Sequence, residues 1–220
     1  MKPNTRKLAL TAHITLSGGW IGSALAYLGL VVAAMANPEE HTLRSVWYAL
    51  NVIGWYVIVP LAIAALGTGL LMALGTSWGL ARHYWVLASL VLTVVGAGVL
   101  LIHMPTVSFY TSTAVQAEAG EMAGLRHALR GELLHAGLGL MVLLVVQTLN
   151  VYKPRGLTAF GHRVVVTAEA ASTHETAGVL TDSHRAAKTP VWVRAVWIHA
   201  AVLLLVFVIL HVAGGEFPHH

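Results

Sequence analysis

Histidine is the residue type that sets this sequence apart. There are thirteen in a chain with no cysteine and only nine acidic residues. His13, His103, His135, His199 and His211 lie within long apolar stretches. An ionisable side chain in such a setting is costly and marks a functional site by default. Neutral imidazole ligates haem iron, copper and zinc well. One such histidine would serve equally as a hydrogen bond between helices, but five make a bound metal or haem the better expectation. The apolar stretches hold almost no Asp or Glu, so no carboxylate relay is expected beside them. His41, His83, His162, His174, His184, His219 and His220 fall in loops or at segment ends, where solvation accounts for them.

Depth sorts the five. At 1.5 Å per residue, His13 lies about 8 Å and His199 about 12 Å from the cytoplasmic ends of their segments. They form the expected inner pair. His103, His135 and His211 lie towards the other side, and two of them would hold an outer group. His199 and His211 are about 18 Å apart along one helix and rotated by roughly 120°, compatible with two stacked sites. Gly96 precedes His103 by two turns and Gly139 follows His135 by one, as a flat ligand approaching the backbone would require; Gly18 and Gly22 flank Trp20. Small residues also let membrane helices pack closely. Arg126 and Arg130, one turn apart, are candidates for haem propionates or an anionic lipid, with a solvated helix face as the alternative. Tyr48, Asn51 and Tyr56 are candidate quinone contacts.

The elements that must position these residues follow from hydropathy. Of 220 residues 57% are hydrophobic and 10% charged, where a soluble domain carries about a quarter charged. An all-α integral membrane bundle of five transmembrane helices is expected, near Leu8–Met35, Val46–Gly75, Tyr84–Met104, Leu133–Val151 and Val191–Ala213. Each is long enough for a hydrocarbon core that takes about 20 helical residues. The first has a basic start at Lys2, Arg6 and Lys7 but is about twice the 7–15 residues of a signal h-region, so it reads as a retained helix. No repeat and no second domain is evident; residues 1–220 form one transmembrane domain. The absence of cysteine excludes disulfides, thiolate metal sites and covalent c-type haem.

Lys2, Arg6, Lys7, Arg82, Lys153, Arg155, Arg163, Arg185, Lys188 and Arg194 fall on one side of this topology, against Arg44, Arg126 and Arg130 on the other. The positive-inside rule then puts the amino terminus in the cytoplasm and the carboxyl terminus outside. The pI near 9.6 reflects this topology rather than nucleic-acid binding, because the basic residues are dispersed between apolar segments. Thr106–Glu132 is expected as an outer connection whose second half could extend the fourth helix. Lys153–Pro190 is expected inside, with a short interfacial segment around Arg163–Val166.

The first helix reads His13-x6-Trp20-Ile21-Gly22, followed by Tyr27-Leu28. This resembles the opening helix of a loose group of bacterial membrane proteins: copper-resistance D-type proteins, membrane-bound protoporphyrinogen oxidases and an uncharacterised family of predicted integral membrane proteins. The resemblance covers about 20 residues and implies a haem b or copper role for His13, in a bacterial cytoplasmic membrane. The oxidases continue Tyr-Leu-Pro-Arg where this chain has Tyr27-Leu28-Gly29-Leu30.

The leading expectation is a membrane protein with one or two bis-histidine haem b groups, passing electrons between a quinone pool and another redox protein. His13 and His199 would ligate the inner haem, and two of His103, His135 and His211 the outer one. Copper handling through His103, Met104, His135 and His211, an enzyme acting on porphyrinogens, and a structural membrane subunit remain open.

Overall fold

The computed structural model describes residues 2–37, 39–75, 80–116, 122–154, 156–164, 191–195, 198 and 202. Helix α1 spans Pro3–Ala36, with Pro3 in the first turn, where its missing N–H removes no intrahelical bond. Helix α2 (Glu40–Ile53) runs through a π-helical turn (Gly54–Ile58) into α3 (Val59–Gly75). Helices α4 (Tyr84–Gln116) and α5 (Met122–Tyr152) complete the ordered elements. Among the described residues four helices are long and apolar enough to cross a membrane: α1, the continuous Glu40–Gly75 helix, α4 and α5. The chain has the architecture of a multi-pass membrane protein. Of the fifth expected segment, Val191–Ala213, residues 191–195 are helical. His199 and His211 lie outside the described residues.

The four helices form a ring. Helix α1 packs on α3 and α5, and α4 packs on α5, α2 and α3. Leu8, Ile14, Ile63, Ile102, Leu134 and many other large apolar side chains face outward. In water that surface would be an aggregation hazard; in lipid it is the expected exterior. The inner faces supply one continuous core including Trp20, Tyr27, Trp47, Leu50, Met104 and Leu129.

The π turn is local chemistry with a tertiary consequence. Val59 N–H bonds back five residues to Gly54 O, and Pro60, which has no N–H to donate, follows at once. The wider turn keeps Leu50, Gly54 and Ile58, spaced by four, together on the buried face. Gly54 gives Met104 its place, since a Cβ there would collide with Sδ and Cε at the end of that side chain and make it shift.

The α4–α5 connection is shorter than expected. Helix α4 does not stop at Met104 but continues through Pro105 to Gln116, and α5 starts at Met122 rather than Leu133. A proline inside a helix costs about 3 kcal/mol. The continuation offsets this by burying Val107, Thr111 and Ala114 on the α2 face that holds Leu43, Val46 and Trp47. Thr111 Oγ1 lies 2.9 Å from Trp47 O. Arg44 donates to Ala114 O at 2.7 Å and Val115 O at 2.9 Å, satisfying the carbonyls at the end of α4.

At the other end of the bundle, the chain after α5 returns to the start of α4. Thr158 N–H donates to Arg82 O at 2.9 Å, and the Thr158 hydroxyl donates to Ala81 O. A short helical segment over residues 159–164 follows, close to the interfacial segment expected around Arg163–Val166.

Candidate functional site

Helix α1 carries His13, Trp20, Tyr27 and Ala34 at intervals of seven. Seven residues are nearly two helical turns, so these side chains form one stripe with a drift of about 20° per step. The stripe faces the bundle interior and joins two cavities. His13 lines one, Tyr27 lines the other, and Trp20 lines both.

The cavity around His13 has a volume of about 470 Å³, within the range of about 300–1,000 Å³ found for small-molecule and cofactor sites. Its walls come from α1, α3, α4 and α5 and include Trp85, Ser89, Gln147 and Asn150. His13 Nδ1 lies 3.0 Å from Thr68 Oγ1. The Thr68 hydroxyl in turn lies 2.8 Å from Ala64 O, to which it can only donate. With that proton on Ala64 O, the Thr68 oxygen is left to accept from His13 Nδ1–H. The neutral ring then keeps its lone pair at Nε2. Gly69 makes room for the imidazole, as a Cβ at this position would stand 3.1 Å from His13 Cε1. Across the cavity Ser89 is only 7% exposed, and its Oγ has no hydrogen-bond partner among the described residues. A buried hydroxyl in that condition costs about 1–3 kcal/mol and calls for an explanation.

The second cavity, of about 140 Å³, lies around His103. Tyr27 of α1, His103 of α4, and Glu132 and His135 of α5 meet at its polar end. Glu132 is 3% exposed. Tyr27 Oη donates to Glu132 Oε1 at 2.5 Å, and His103 Nε2 donates to Glu132 Oε2 at 2.9 Å, with Oε1 at 3.2 Å. His135 stacks on His103 with ring centroids 3.6 Å apart and planes 13° from parallel. The remaining wall is apolar or small, with Gly96 and Gly139 among its residues.

Glu132 corrects the expectation that the intramembrane histidines lack acidic partners. It was assigned to the end of an outer connection, but it lies inside α5, three turns from the helix start. Its position three residues before His135 was the available signal, because residues at i and i+3 share a helix face. The carboxylate is stabilised in this apolar setting by two donors from two other helices.

The other expected site residues are distributed as follows. His103 and His135 come together, but face to face, so they do not present nitrogens to one ion from opposite sides at the metal–nitrogen distance of about 2 Å. His103 Nε2 is already committed to Glu132. Met104 fills the space over Gly54 instead of joining the histidines, so the described members of the copper set do not converge. Among the described residues no group of three or more His, Asp or Glu side chains is arranged to hold a metal ion. Arg126 and Arg130 are exposed on the first turns of α5 and line neither cavity. Tyr48 and Tyr56 are 61% and 77% exposed, Asn51 accepts from Ser108 Oγ at 2.9 Å, and none of the three lines either cavity. Gly18 and Gly22 are exposed, with open space where a Cβ would lie.

Thr68 and Ser89 were not singled out in the sequence. A hydroxyl at either place is common in membrane helices, where it bonds back to the preceding turn, so nothing local distinguishes them. No family model, no curated protein and no solved structure matches this chain.

Proposed function

We propose that this chain is a haem b-binding membrane protein that carries electrons, with His13 as an axial ligand. The observation that supports this most is the committed Nδ1–H of His13, which leaves Nε2 available beside a cavity of about 470 Å³. Metal-ligating histidines typically donate their second nitrogen in this way, which fixes the ring and its tautomer. The Gly69 contact and the unpartnered Ser89 Oγ fit a group that fills the space between α1, α3 and α4. The first-helix resemblance points the same way. His199 is the proposed second ligand, from a fifth transmembrane helix.

When bound, the haem would supply one-electron chemistry, tuned by axial ligation and burial. The residues of this chain hold and orient it. Thr68 fixes the His13 ring, and Gly69 sets how closely α3 approaches. Ser89 is placed to hydrogen-bond a polar edge of the ligand. Held by His13 and His199, the group would suit electron transfer between a quinone pool and a second redox protein. The proposed setting is a bacterial cytoplasmic membrane with the amino terminus inside.

The test is spectroscopic. Protein purified from haem-replete cells should show a Soret band and, on reduction, a b-type α band, with haem quantified as the pyridine haemochrome. His13→Ala should lose the band while the protein still inserts and purifies. Wild-type protein with no Soret absorption would sink the proposal.

A further inference from the structure

The cavity around His103 contains features that helix packing alone leaves unexplained. Glycines in membrane bundles ordinarily let backbones approach one another. Among the described residues Gly139 does not do this, since a Cβ there would meet no atom of theirs within 4 Å, and one at Gly96 would meet only Val142 Cγ1 at 3.9 Å. Both glycines line the cavity, and their effect is to widen it. Space of this kind inside a bundle is unfavourable unless something occupies it, because the lining loses its dispersion contacts.

The polar end has capacity to spare. A carboxylate offers about four lone-pair positions. Tyr27 and His103 use three of those on Glu132, two at Oε1 and one at Oε2. Tyr27 Oη donates its one proton to Glu132 and keeps acceptor lone pairs of its own. The cluster therefore presents buried acceptors at one end of an otherwise mostly apolar space. The complementary ligand is an apolar ring that carries a hydroxyl donor.

We propose that this cavity binds the headgroup of a membrane-borne hydroquinone, with its ring over Gly96 and Gly139 and its hydroxyl on the Tyr27–Glu132–His103 cluster. The site stands on this cavity alone and does not depend on haem at His13. Trp20, Thr93 and Leu143 line both cavities, so a ligand here and a group beside His13 would be parted by a single layer of side chains. The site also lies apart from Tyr48, Asn51 and Tyr56.

The probe is 2-heptyl-4-hydroxyquinoline N-oxide, a fluorescent hydroxylated ring with an alkyl tail, titrated into purified full-length protein. Saturable quenching with one site per chain is expected. Glu132→Gln and Gly139→Leu should each weaken it at least tenfold, whereas Tyr48→Phe, at an exposed side chain that lines neither cavity, should leave it unchanged. The analogue 2-heptylquinoline N-oxide, which lacks only the hydroxyl, should compete at least tenfold more weakly against wild-type protein, an arm that needs no variant to fold. Absence of saturable quenching, wild-type affinity in either cavity variant, or equal competition by the analogue would overturn the proposal. Loss of the probe in Tyr48→Phe would move the site elsewhere and overturn it as well. A wild-type protein without a Soret band that still binds the probe would remove the haem reading and leave this one standing.

Discussion

Thr68 is the residue on which the His13 site turns. Its hydroxyl spends its proton on Ala64 O and accepts from His13 Nδ1. Thr68→Val keeps the shape and removes that acceptor. Loss of such a partner typically costs 10–100-fold in metal affinity or activity. Purified Thr68→Val should therefore retain haem less well than wild type, by about that factor in a haem-transfer assay to an apoprotein acceptor. Retention equal to wild type would show that the contact does not orient a ligand. Of this constellation only His13 was legible in the sequence. An imidazole in an apolar segment is conspicuous on its own, whereas a threonine in a helix is commonplace until something 55 residues away is found beside it. Glu132 was hidden for a different reason. It stands next to the polar run Arg126–Arg130, and hydropathy alone puts a carboxylate at such a boundary in solvent.

At the scale of elements, the four helices and several of their ends were readable from apolar length, but the end of α4 and the start of α5 were not. Helix α4 begins at Tyr84 as expected but passes Pro105, because the residues beyond it find a matching face on α2. That face is a tertiary fact. The π turn was equally silent in the sequence, although Gly54 and Pro60 bracket it. Its tight contact with Met104 supports a paired test. Gly54→Ala should destabilise by about 1–3 kcal/mol through overpacking. Met104→Ala should separately leave a cavity and cost about 2–5 kcal/mol. The double variant should recover part of the loss, because the new methyl enters the vacated space. Thermal or denaturant unfolding in detergent would measure the coupling, and strict additivity would refute the contact.

At the scale of the whole molecule, the ring of helices places two cavities on one stripe of α1, with Trp20 between them. The outward face is apolar along all four helices, so the molecule is built for lipid. The proposed orientation has a direct test, because the chain contains no cysteine and single introduced thiols report cleanly. In intact cells, Asn37→Cys at the end of α1 should react with a membrane-impermeant maleimide. Ala81→Cys, before α4, should react only after the membrane is broken. The reverse pattern would invert the topology.

The sequence by itself determined that this protein belongs in a membrane and that ionisable histidines stand within its apolar segments. Both are sums over local residue properties: apolar length against bilayer thickness, and the cost of an ionisable group in an apolar run. The tertiary structure alone decided which polar groups meet. Tyr27 and Glu132 are 105 residues apart, and His103 and Glu132 are 29 apart. Their meeting depends on how each helix is rotated about its axis. That rotation is set by packing, through the Gly54 turn, the continuation of α4 past Pro105 and the shared stripe of α1.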